Sequence, residues 1–213
     1  KLYVKKDAKM FYFCTSKCER NMLKLGRKPR KTKWTGEYHD IKKGIKKWLK
    51  MPETLIQRSL VLLKPDAVQR GIMGNIMTRF ENAGLKVVGI KMVWVDRDFS
   101  KKHYADHVEK PFYKGLEEFI VEGPLVALAL EGIHAVETIR KMVGATEPKK
   151  AAPGTIRGDF AHYTYALADK NKVAVKNMIH ASANKKDADY EIGLWFSVDE
   201  MHNYTTVHEK HTL

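Results

Sequence analysis

The chain has 213 residues, 44% of them hydrophobic, which is enough for one mid-sized domain and a smaller unit. No apolar run approaches the roughly 20 residues that span a bilayer, which excludes an integral membrane protein, and the basic first residues lack the apolar core of a cleavable signal peptide. The two cysteines, Cys14 and Cys18, argue against a disulfide framework and favour a reducing, cytoplasmic location. The chain begins with Lys1 rather than Met, which leaves open a missing N-terminal stretch.

Nearly all of the formal net charge of +14 lies in the first quarter of the chain. Residues 1–50 hold 17 Lys and Arg against 4 Asp and Glu, whereas residues 51–213 hold 22 against 21. This asymmetry indicates a nucleic-acid or anionic-surface partner for the first segment and a nearly neutral domain after it.

The N-terminal segment, residues 1–35, divides into short elements. The stretches "KLYV" and "MFYFC" predict two short strands, and a helix is predicted over residues 16–25, ended by the C-cap residue Gly26. An extended basic tail, "GRKPRKTKW", follows. Residues 36–53 carry apolar side chains on one helical face before Pro52, which predicts a basic linker helix.

Residues 54–213 alternate strands and helices. A buried strand in "SLVLLKPDA" precedes a helix closed by Gly84, the strand "LKVVGIKMVWV" and two short helices near residues 99–108 and 112–122. The strand "LVALALEG", the helix "HAVETIRKMVG", the long loop "ATEPKKAAPGTIRGDF", the strand "VKNMIHAS" and the helix "KKDADYEIGLWF" complete the pattern. This order predicts an α/β (α+β) domain with the ferredoxin-like, split βαβ arrangement.

The domain lacks the Gly-rich loops that hold phosphates in many nucleotide-binding proteins, so side chains would have to bind them. The candidates are Lys64 at a strand end, Arg140 near a helix end and Arg157 in the Gly/Pro-rich loop. A planar guanidinium suits phosphate oxygens because it donates two parallel hydrogen bonds. Taken singly, each of these cations is more often a solvated surface charge.

His180 ends the strand "VKNMIHAS" beside small residues. A neutral imidazole is a competent nucleophile at physiological pH, and Glu191 on the following helix is placed to fold back and orient it. The alternative is a structural histidine with one hydrogen bond, which is the commoner role of a lone histidine at a strand end.

Longer stretches carry a family resemblance. The blocks "LLKPDAVQRGIMGNIMTRFENAGLKVVGIKM", "HYADHVEKPFYKGL", "GPLVALALEG", "VGATEPKKAAPGTIRGDF" and "KNMIHAS…EIGLWF" resemble the nucleoside diphosphate kinase family, in unbroken order from about residue 57 to 200. The resemblance implies an enzyme that exchanges γ-phosphates between nucleoside triphosphates and diphosphates by a ping-pong route through phospho-His180, with magnesium on the phosphates. It also implies a homo-oligomer, usually a hexamer or tetramer.

The resemblance implies roles for twelve positions. The phosphorylated nucleophile and the residues that fix it are His180, Ser182 and Glu191. Contacts to the sugar hydroxyl and the transferred phosphate come from Lys64, Tyr104 and Asn177. The phosphates are bound by Arg140, Thr146 and Arg157. The base slot is lined by Phe112, Leu116 and, where the family often has valine, Ala174.

Three features depart from the commoner family pattern. "HASA" replaces "HGSD", so Ala183 removes a carboxylate that would help the next helix to start. The segment "AHYTYALADKNK" lengthens the chain relative to the shortest members. The tail "VDEMHNYTTVHEKHTL" contains His202, His208 and His211, whose irregular spacing favours a solvated or packing tail over metal binding. None of these changes removes a catalytic group, so we expect an active enzyme.

The N-terminal segment also resembles a known family. "C-x-x-x-C", "NMLKLGR" and "RKxKW" resemble the e-type number twenty-four proteins of the large ribosomal subunit, small zinc-ribbon-like domains that bind ribosomal RNA. Tetrahedral structural zinc takes four ligands, and Cys14 and Cys18 supply two. Zinc is therefore expected only if a missing N-terminus supplies two more ligands; otherwise the site no longer binds metal.

Basic side chains of this segment are the predicted RNA contacts, because they neutralise phosphates. They are Lys24, Arg27, Lys28, Arg30, Lys31 and Lys33. We expect ribosomal RNA or the ribosome to bind through residues 1–50. The alternative is a basic arm with no specific partner.

Together the resemblances predict a fusion of a basic module (1–35), a linker helix (36–53) and a kinase domain (54–213). One alternative is a non-enzymatic, RNA-binding ribosomal component whose second domain serves only for assembly. Another is a cloning artefact at the junction.

Overall fold

The structure is a computed structural model in which the chain divides into two compact units, Lys1–Glu53 and Thr54–Leu213. The residues that the structure describes are 2–4, 10–12, 55–207 and 209–212. Among them, no helix is long and apolar enough to cross a membrane.

The first unit contains two short strands, β1 (Leu2–Val4) and β2 (Met10–Tyr12), which pair antiparallel as "KLYV" and "MFYFC" predict. The remaining predictions for this unit lie outside the described residues. They are the helix over 16–25, the linker helix over 36–53, the zinc half-site of Cys14 and Cys18, and the six basic RNA contacts.

The second unit is an α+β domain. Its strands are β3 (Ile56–Leu63), β4 (Lys86–Val93), β5 (Leu125–Ile133) and β6 (Ile179–Ala181). Its helices are α1 (Pro65–Gln69), α2 (Met73–Asn82), α3 (Arg97–His103), α4 (Tyr113–Ile120), α5 (Ala135–Val143), α6 (Ile156–Phe160), α7 (Tyr165–Asn171), α8 (Lys185–Trp195) and α9 (Glu209–Thr212). Single turns of 3-10 helix occupy Ala105–His107, Pro148–Lys150 and Val198–Glu200.

The four strands of this unit form one sheet in the order β4-β5-β3-β6, and all neighbouring strands are antiparallel. The principal elements follow each other as β3-α2-β4-β5-α5-β6, which is the split βαβ order. The predicted α+β class is therefore confirmed for this unit, whereas the zinc-ribbon-like fold of the first unit stays a prediction.

Both faces of the sheet are covered, which explains the unbroken apolar run of β3. Alternate residues of a strand point to opposite faces, so Leu60 and Leu62 pack in a core with α4 and α8. Val61 and Leu63 pack in a second core with α2 and α5. Gly84 follows α2 with a φ of 79°, the left-handed conformation that a helix stop favours.

The strand predicted in "VKNMIHAS" is wrong in length, because only Ile179–Ala181 pair with β3. Met178 adopts a left-handed conformation with a φ of 64°, so the preceding residues leave the sheet. Within β6, His180 lies opposite Leu62. The imidazole therefore lies on the face of the sheet that α8 covers.

The long loop predicted after α5 is also wrong in part, because it contains the turn Pro148–Lys150 and helix α6. The Thr155 side chain caps α6 by accepting the N–H of Gly158 at 3.1 Å. The added segment "AHYTYALADKNK" folds as α7, where the Thr164 side chain accepts the N–H of Leu167 at 3.1 Å. Threonine at both N-caps is the sequence signal for these helices.

The C-terminal tail packs along β4. The His202 N–H donates to the carbonyl of Val88 at 2.7 Å, and the Tyr204 hydroxyl donates to the carbonyl of Val87 at 2.7 Å. Of the two alternatives predicted for the tail, solvated or packing, these contacts favour packing.

Candidate active site

A cavity of about 1130 Å³ opens beside the ends of β3 and β6. Ten of the twelve positions that the kinase resemblance implies line it: Lys64, Tyr104, Phe112, Leu116, Arg140, Thr146, Arg157, Ala174, Asn177 and His180. The other two, Ser182 and Glu191, are buried behind His180. The fold therefore brings together residues that are up to 127 positions apart in the chain.

Glu191 fixes the orientation of His180. The imidazole Nε2 lies 2.9 Å from Oε1 of Glu191. A carboxylate only accepts hydrogen bonds, so Nε2 carries the proton and donates it. In a neutral ring the lone pair is then on Nδ1, which is the ring atom available to attack an electrophile.

Ser182 connects Glu191 to the sheet. Its hydroxyl donates to Oε2 of Glu191 at 2.5 Å and accepts the N–H of Leu60 at 3.1 Å. Ser182 and Glu191 are both buried. A continuous set of hydrogen bonds thus runs from the backbone of β3 to the imidazole, and it is shielded from water.

Helix α8 carries Glu191. Where the commoner family pattern has an aspartate just before this helix, this chain has Ala183. The Asn184 side chain is the N-cap and accepts the N–H of Asp187 at 2.9 Å. Asparagine is as good an N-cap as aspartate, so this departure from the family pattern does not weaken the start of the helix.

The backbone just before His180 is strained, because Met178 has a side chain and a positive φ. Such a conformation costs about 1–3 kcal/mol. The N–H of Met178 donates to Oδ2 of Asp66 at 3.0 Å, and its carbonyl accepts the N–H of Lys64 at 2.8 Å. Burial raises the pKa of Asp66. Sequence reasoning missed Asp66, although its place two residues after Lys64 was a signal.

Lys64 reaches from the end of β3 to Oδ1 of Asn177, at 2.8 Å. Burial, aided by the nearby charge of Arg157, lowers the pKa of its ammonium group to about 8. Nδ2 of Asn177 donates to the carbonyl of Thr146 at 3.0 Å, which ties the lysine to the loop after α5. A bound anion would favour the charged form of Lys64, because opposite charges stabilise each other where water is excluded.

Arg157 has a structural role besides lining the cavity. Its guanidinium donates to the backbone carbonyls of Asn177 at 3.3 Å, Gly144 at 2.9 Å and Ile179 at 2.6 Å. Burial, followed by the positive charge of Arg140, lowers its pKa to about 10. Three of its five N–H groups are thus bonded to the described protein, and two are left for a ligand.

Arg140 and Thr146 line the cavity from the solvent side, and both are exposed. Within the described residues, the Arg140 side chain makes no hydrogen bond or ion pair. It is therefore free to turn toward an anion.

Two buried aromatic side chains pack near the nucleophile. The ring of His103 lies 4.9 Å from that of His180 and the ring of Tyr104 lies 6.3 Å from it, both nearly perpendicular. Burial lowers the pKa of His103 and raises the pKa of the Tyr104 hydroxyl. In the described part of the chain, Nε2 of His103 and the Tyr104 hydroxyl have no hydrogen-bond partner. Sequence reasoning missed His103, the residue before Tyr104.

His103, His180 and Glu191 place potential metal-ligand atoms within 4.8 Å of one another. However, Nδ1 of His103 accepts the indole N–H of Trp195 at 3.1 Å. The proton of neutral His103 is therefore on Nε2, where a metal would need a lone pair. These existing hydrogen bonds disfavour a metal ion at the cluster.

The predicted base slot lies at the mouth of the cavity. Phe112 is 56% exposed there, whereas Leu116 packs partly into the core. A Cβ added to Gly115 would lie 3.3 Å from the backbone nitrogen of Ala174, so α4 closely approaches the opposite wall. An exposed aromatic face beside a narrow gap is suited to stacking against a planar ring.

Arg79 on α2 is a further residue that sequence reasoning missed. Its guanidinium donates to the carboxylate of Asp159 and to the carbonyl of Gly154. The same carboxylate accepts the N–H of Gly154 at 2.7 Å. These bonds close the loop that carries Arg157, and the acidic residue in "RGDF" was the only signal for them.

The cavity thus combines an oriented imidazole, several cationic side chains that include Lys64, Arg140 and Arg157, and an exposed aromatic slot. Phosphoryl transfer requires a placed nucleophile and positive charge around the phosphate more than it requires acid–base groups. The fold and the site define the class of protein as a phosphotransferase, with His180 as the candidate nucleophile.

Comparisons with known proteins give the family. The nucleoside diphosphate kinase profile matches residues 57–201. The chain is 52% identical to a nucleoside diphosphate kinase of Pyrococcus horikoshii over 154 residues, 72% of this chain and 92% of that protein. A solved nucleoside diphosphate kinase of Borrelia burgdorferi, a transition-state mimic with bound vanadate and ADP, has a TM-score of 0.72 at 42% identity and covers 74% of this chain and 97% of that one. A solved halophilic enzyme from Halobacterium salinarum, in complex with CDP, has a TM-score of 0.64 at 39% identity and covers 72% of this chain and 96% of that one.

The chain belongs to the nucleoside diphosphate kinase family, and the prediction that it is such an enzyme is confirmed. The second resemblance is confirmed as well, because the ribosomal protein L24e profile matches residues 1–47. That match extends beyond residue 35, into the segment predicted as a linker helix.

Proposed function

We propose that Thr54–Leu213 transfers the γ-phosphate of a nucleoside triphosphate to a nucleoside diphosphate through a phosphohistidine at Nδ1 of His180. The observation that carries this proposal is the 2.9 Å hydrogen bond from Nε2 of His180 to Glu191. That bond leaves the lone pair of the neutral ring on Nδ1, in a side chain that lines the cavity.

The reaction has two symmetrical halves. First, the Nδ1 lone pair forms a bond to the γ-phosphorus, and the bond to the bridging oxygen breaks with its electrons remaining on the departing diphosphate. Second, a terminal β-phosphate oxygen of another diphosphate bonds to the same phosphorus, and the P–N bond breaks with its electrons returning to Nδ1. Glu191 stabilises the positive charge of the phosphorylated ring through Nε2–H and does not take the proton.

The cationic side chains stabilise the charge of the transferred group. Lys64 is held by Asn177 at the deep end, and the two remaining N–H groups of Arg157 supply further donors. Arg140 and Thr146 turn to the outer phosphates, and the unpartnered hydroxyl of Tyr104 donates near His180. Because these groups contact phosphate and sugar, they act alike on every nucleotide.

Magnesium enters on the phosphates of the substrate. The residues proposed to bind the phosphates are Lys64, Arg140, Arg157 and Thr146, whose cationic and hydroxyl groups suit phosphate oxygens rather than a metal ion. The ion neutralises phosphate charge when it is bound. The protein itself is proposed to supply no magnesium ligand.

The test is labelling with γ-labelled ATP and magnesium. We expect an acid-labile, base-stable label on the wild type that chases onto added GDP, and no label on His180→Ala. His162→Ala is the matched control, because His162 is exposed and is not among the residues that line the cavity. A folded wild type that takes no label would contradict the proposal and would leave the domain as an assembly scaffold.

We infer a homo-oligomer, a hexamer or tetramer, for the kinase domain. Its edge strand β4 and the residue after it expose Ile90, Met92 and Trp94, at 53%, 55% and 68%. Alternating residues of an edge strand form one apolar stripe, which is suited to burial against another copy. Light scattering is expected to give about four or six times the chain mass of 24.5 kDa, and a monomer would contradict this.

For residues 1–50 we propose binding to ribosomal RNA. The profile match and the local charge support this proposal. Cosedimentation with ribosomes is expected for the full chain and is expected to be lost on deletion of residues 1–50. Cosedimentation that survives the deletion would overturn the proposal. A zinc site stays conditional on two ligands beyond Cys14 and Cys18.

A further inference from the structure

Helix α7, formed by the added segment, presents one face to the nucleotide cavity. Tyr165, Ala168 and Asp169 line the cavity, and their spacing of 3 and 1 residues is that of a single helical face. Lys172, the C-cap residue with a φ of 53°, lines the cavity just beyond the end of the helix. Ala168 is 2% exposed and packs as part of the wall, whereas the three polar side chains are exposed.

This face runs from the phosphate end of the cavity to the base slot. At one end, the N–H of Tyr165 donates at 3.0 Å to the carboxylate of Glu147, the neighbour of Thr146. At the other end, Lys172 is two residues before Ala174, which forms the wall of the slot. Asp169 and Lys172 therefore lie at the base end of the cavity.

Asp169 and Lys172 have no structural task in the described part of the chain. Neither side chain makes a hydrogen bond or an ion pair there, and each lines the cavity. Their backbones meet where the helix ends, because the N–H of Lys172 donates to the carbonyl of Asp169 at 3.2 Å. A free carboxylate and a free ammonium group thus both line the cavity within a few residues of Ala174.

We propose that Asp169 and Lys172 bind the Watson–Crick edge of guanine and give the enzyme a preference for guanine nucleotides. Among the common bases, guanine offers two adjacent N–H donors, N1–H and N2–H, which a carboxylate accepts in parallel. Its O6 acceptor lies beside them, within reach of an ammonium group. Adenine and cytosine place one amino group beside an acceptor nitrogen, and uracil places its N–H between two carbonyls. The inference rests on the proposed function, because it takes the slot between Phe112 and Ala174 as the base site.

The test compares diphosphate acceptors with dTTP as the common phosphate donor. The full chain and its Asp169→Asn and Lys172→Met variants are assayed for kcat/KM with GDP, IDP and ADP. We expect the wild type to favour GDP over ADP by about tenfold, at the low end of what one base contact gives because the site is exposed. Asp169→Asn is expected to lose most of this preference, because its kcat/KM falls with GDP and not with ADP. For the wild type, the kcat/KM with IDP, which lacks the N2 amino group, is expected to lie between the values with GDP and ADP. Lys172→Met is expected to weaken GDP and IDP equally.

Lys170→Met is the matched control, because Lys170 is on the same helix and is not among the residues that line the cavity. It is expected to keep the wild-type ratio. Calorimetric affinities of the full chain for GDP and ADP give the same comparison without turnover. Active enzymes whose GDP-to-ADP ratio is unchanged by both substitutions would overturn this inference alone. A wild type that phosphorylates no diphosphate would instead overturn the proposed function on which it rests.

Discussion

At the deep end of the cavity, the side chains of Lys64, Asn177, Ser182 and Glu191 are hydrogen-bonded within the protein, whereas at its mouth the charged side chains are free. Ser182 and Glu191 join His180 to the sheet, and Lys64 is bonded to Asn177. Arg140, Asp169 and Lys172 have no such bonds among the described residues. In the proposed function, the deep end binds the transferred phosphate in every reaction, so donors that are fixed in advance suit it, whereas the mouth binds a base that varies.

The two ends also differ in what they cost the fold. Lys64 is a buried cation, and Met178 is a strained residue beside the nucleophile. Exposed charges at the mouth impose little such cost, because water solvates them. Substitution of Lys64 should therefore separate activity from stability, whereas substitutions of exposed residues should change both only slightly.

The largest expected effect is that of Lys64→Met. Loss of the ammonium group is expected to lower kcat/KM by about a hundredfold or more, because a donor to the transferred phosphate is removed. The same change is expected to stabilise the unliganded protein. The pKa of Lys64 is about 8 in the folded chain, against 10.5 in the unfolded chain, so the charged lysine lowers the stability of the fold by about 3 kcal/mol. The variant regains this stability but loses the hydrogen bond to Asn177, which offsets about 1 kcal/mol of the gain.

The pH dependence of unfolding by urea checks this prediction. Below pH 8, Lys64 is charged in both the folded and the unfolded states, so its full cost applies. Between pH 8 and 10.5 the folded state loses the proton first, so the stability of the wild type rises relative to that of Lys64→Met. The advantage of the variant, about 2 kcal/mol at pH 7, should shrink toward pH 10. Lys176→Met, which removes a lysine from an exposed ion pair, is the control for the loss of a lysine charge. A Lys64→Met protein that is less stable than the wild type at pH 7 would contradict the argument.

A smaller effect is expected from Ser182→Ala, which removes the link between the sheet and Glu191. The variant leaves an oxygen of Glu191 and the N–H of Leu60 without their partner, which costs about 1–3 kcal/mol of stability. We expect kcat to fall about tenfold, because the imidazole is less well positioned. Single-turnover phosphorylation of His180 measures this step directly.

Ser59→Ala is the matched control for that variant. Ser59 is equally buried on β3, and its hydroxyl makes one long contact of 3.5 Å with a neighbouring carbonyl. Equal rates of phosphorylation in the two variants would show that Ser182 has no positioning role.

The smallest effect is expected from Arg79→Met, which opens the clamp on Asp159 and Gly154. This clamp belongs to neither end of the cavity, because it holds the loop of Arg157 from outside the cavity. We expect KM to rise about threefold with kcat nearly unchanged, and a loss of about 1 kcal/mol in stability because the pair is partly exposed. Arg58→Met, which removes an ion pair to Glu131 on the sheet, is the control for stability. A KM that rises equally in both variants would refute a local role for Arg79.

Much of the kinase domain was predictable from local patterns. The apolar run of β3, the stripe of α2 and the stop at Gly84 appear in the structure where their patterns place them. All ten predicted residues at the cavity wall also come together, because the family motifs occur in order along the chain. Local periodicity did not reveal that the strand of His180 begins only after Met178, because Met178 occupies a conformation that its residue type disfavours.

Other features depend on residues that are far apart in the chain. Asp66 holds Met178 across 112 positions, and Arg79 holds Asp159 across 80. No pattern within a helix or a strand records such contacts. They are decided when the sheet assembles and brings the ends of its strands together.

By itself, the sequence determined the order of the strands and of the principal helices, the uneven charge, the family motifs and His180 as the candidate nucleophile, because each depends on residue type and spacing. The tertiary structure decided which imidazole nitrogen carries the proton, that Arg157 is bonded to three carbonyls, and that one face of α7 lines the cavity. These properties depend on distances and directions between side chains, and only the folded chain defines them.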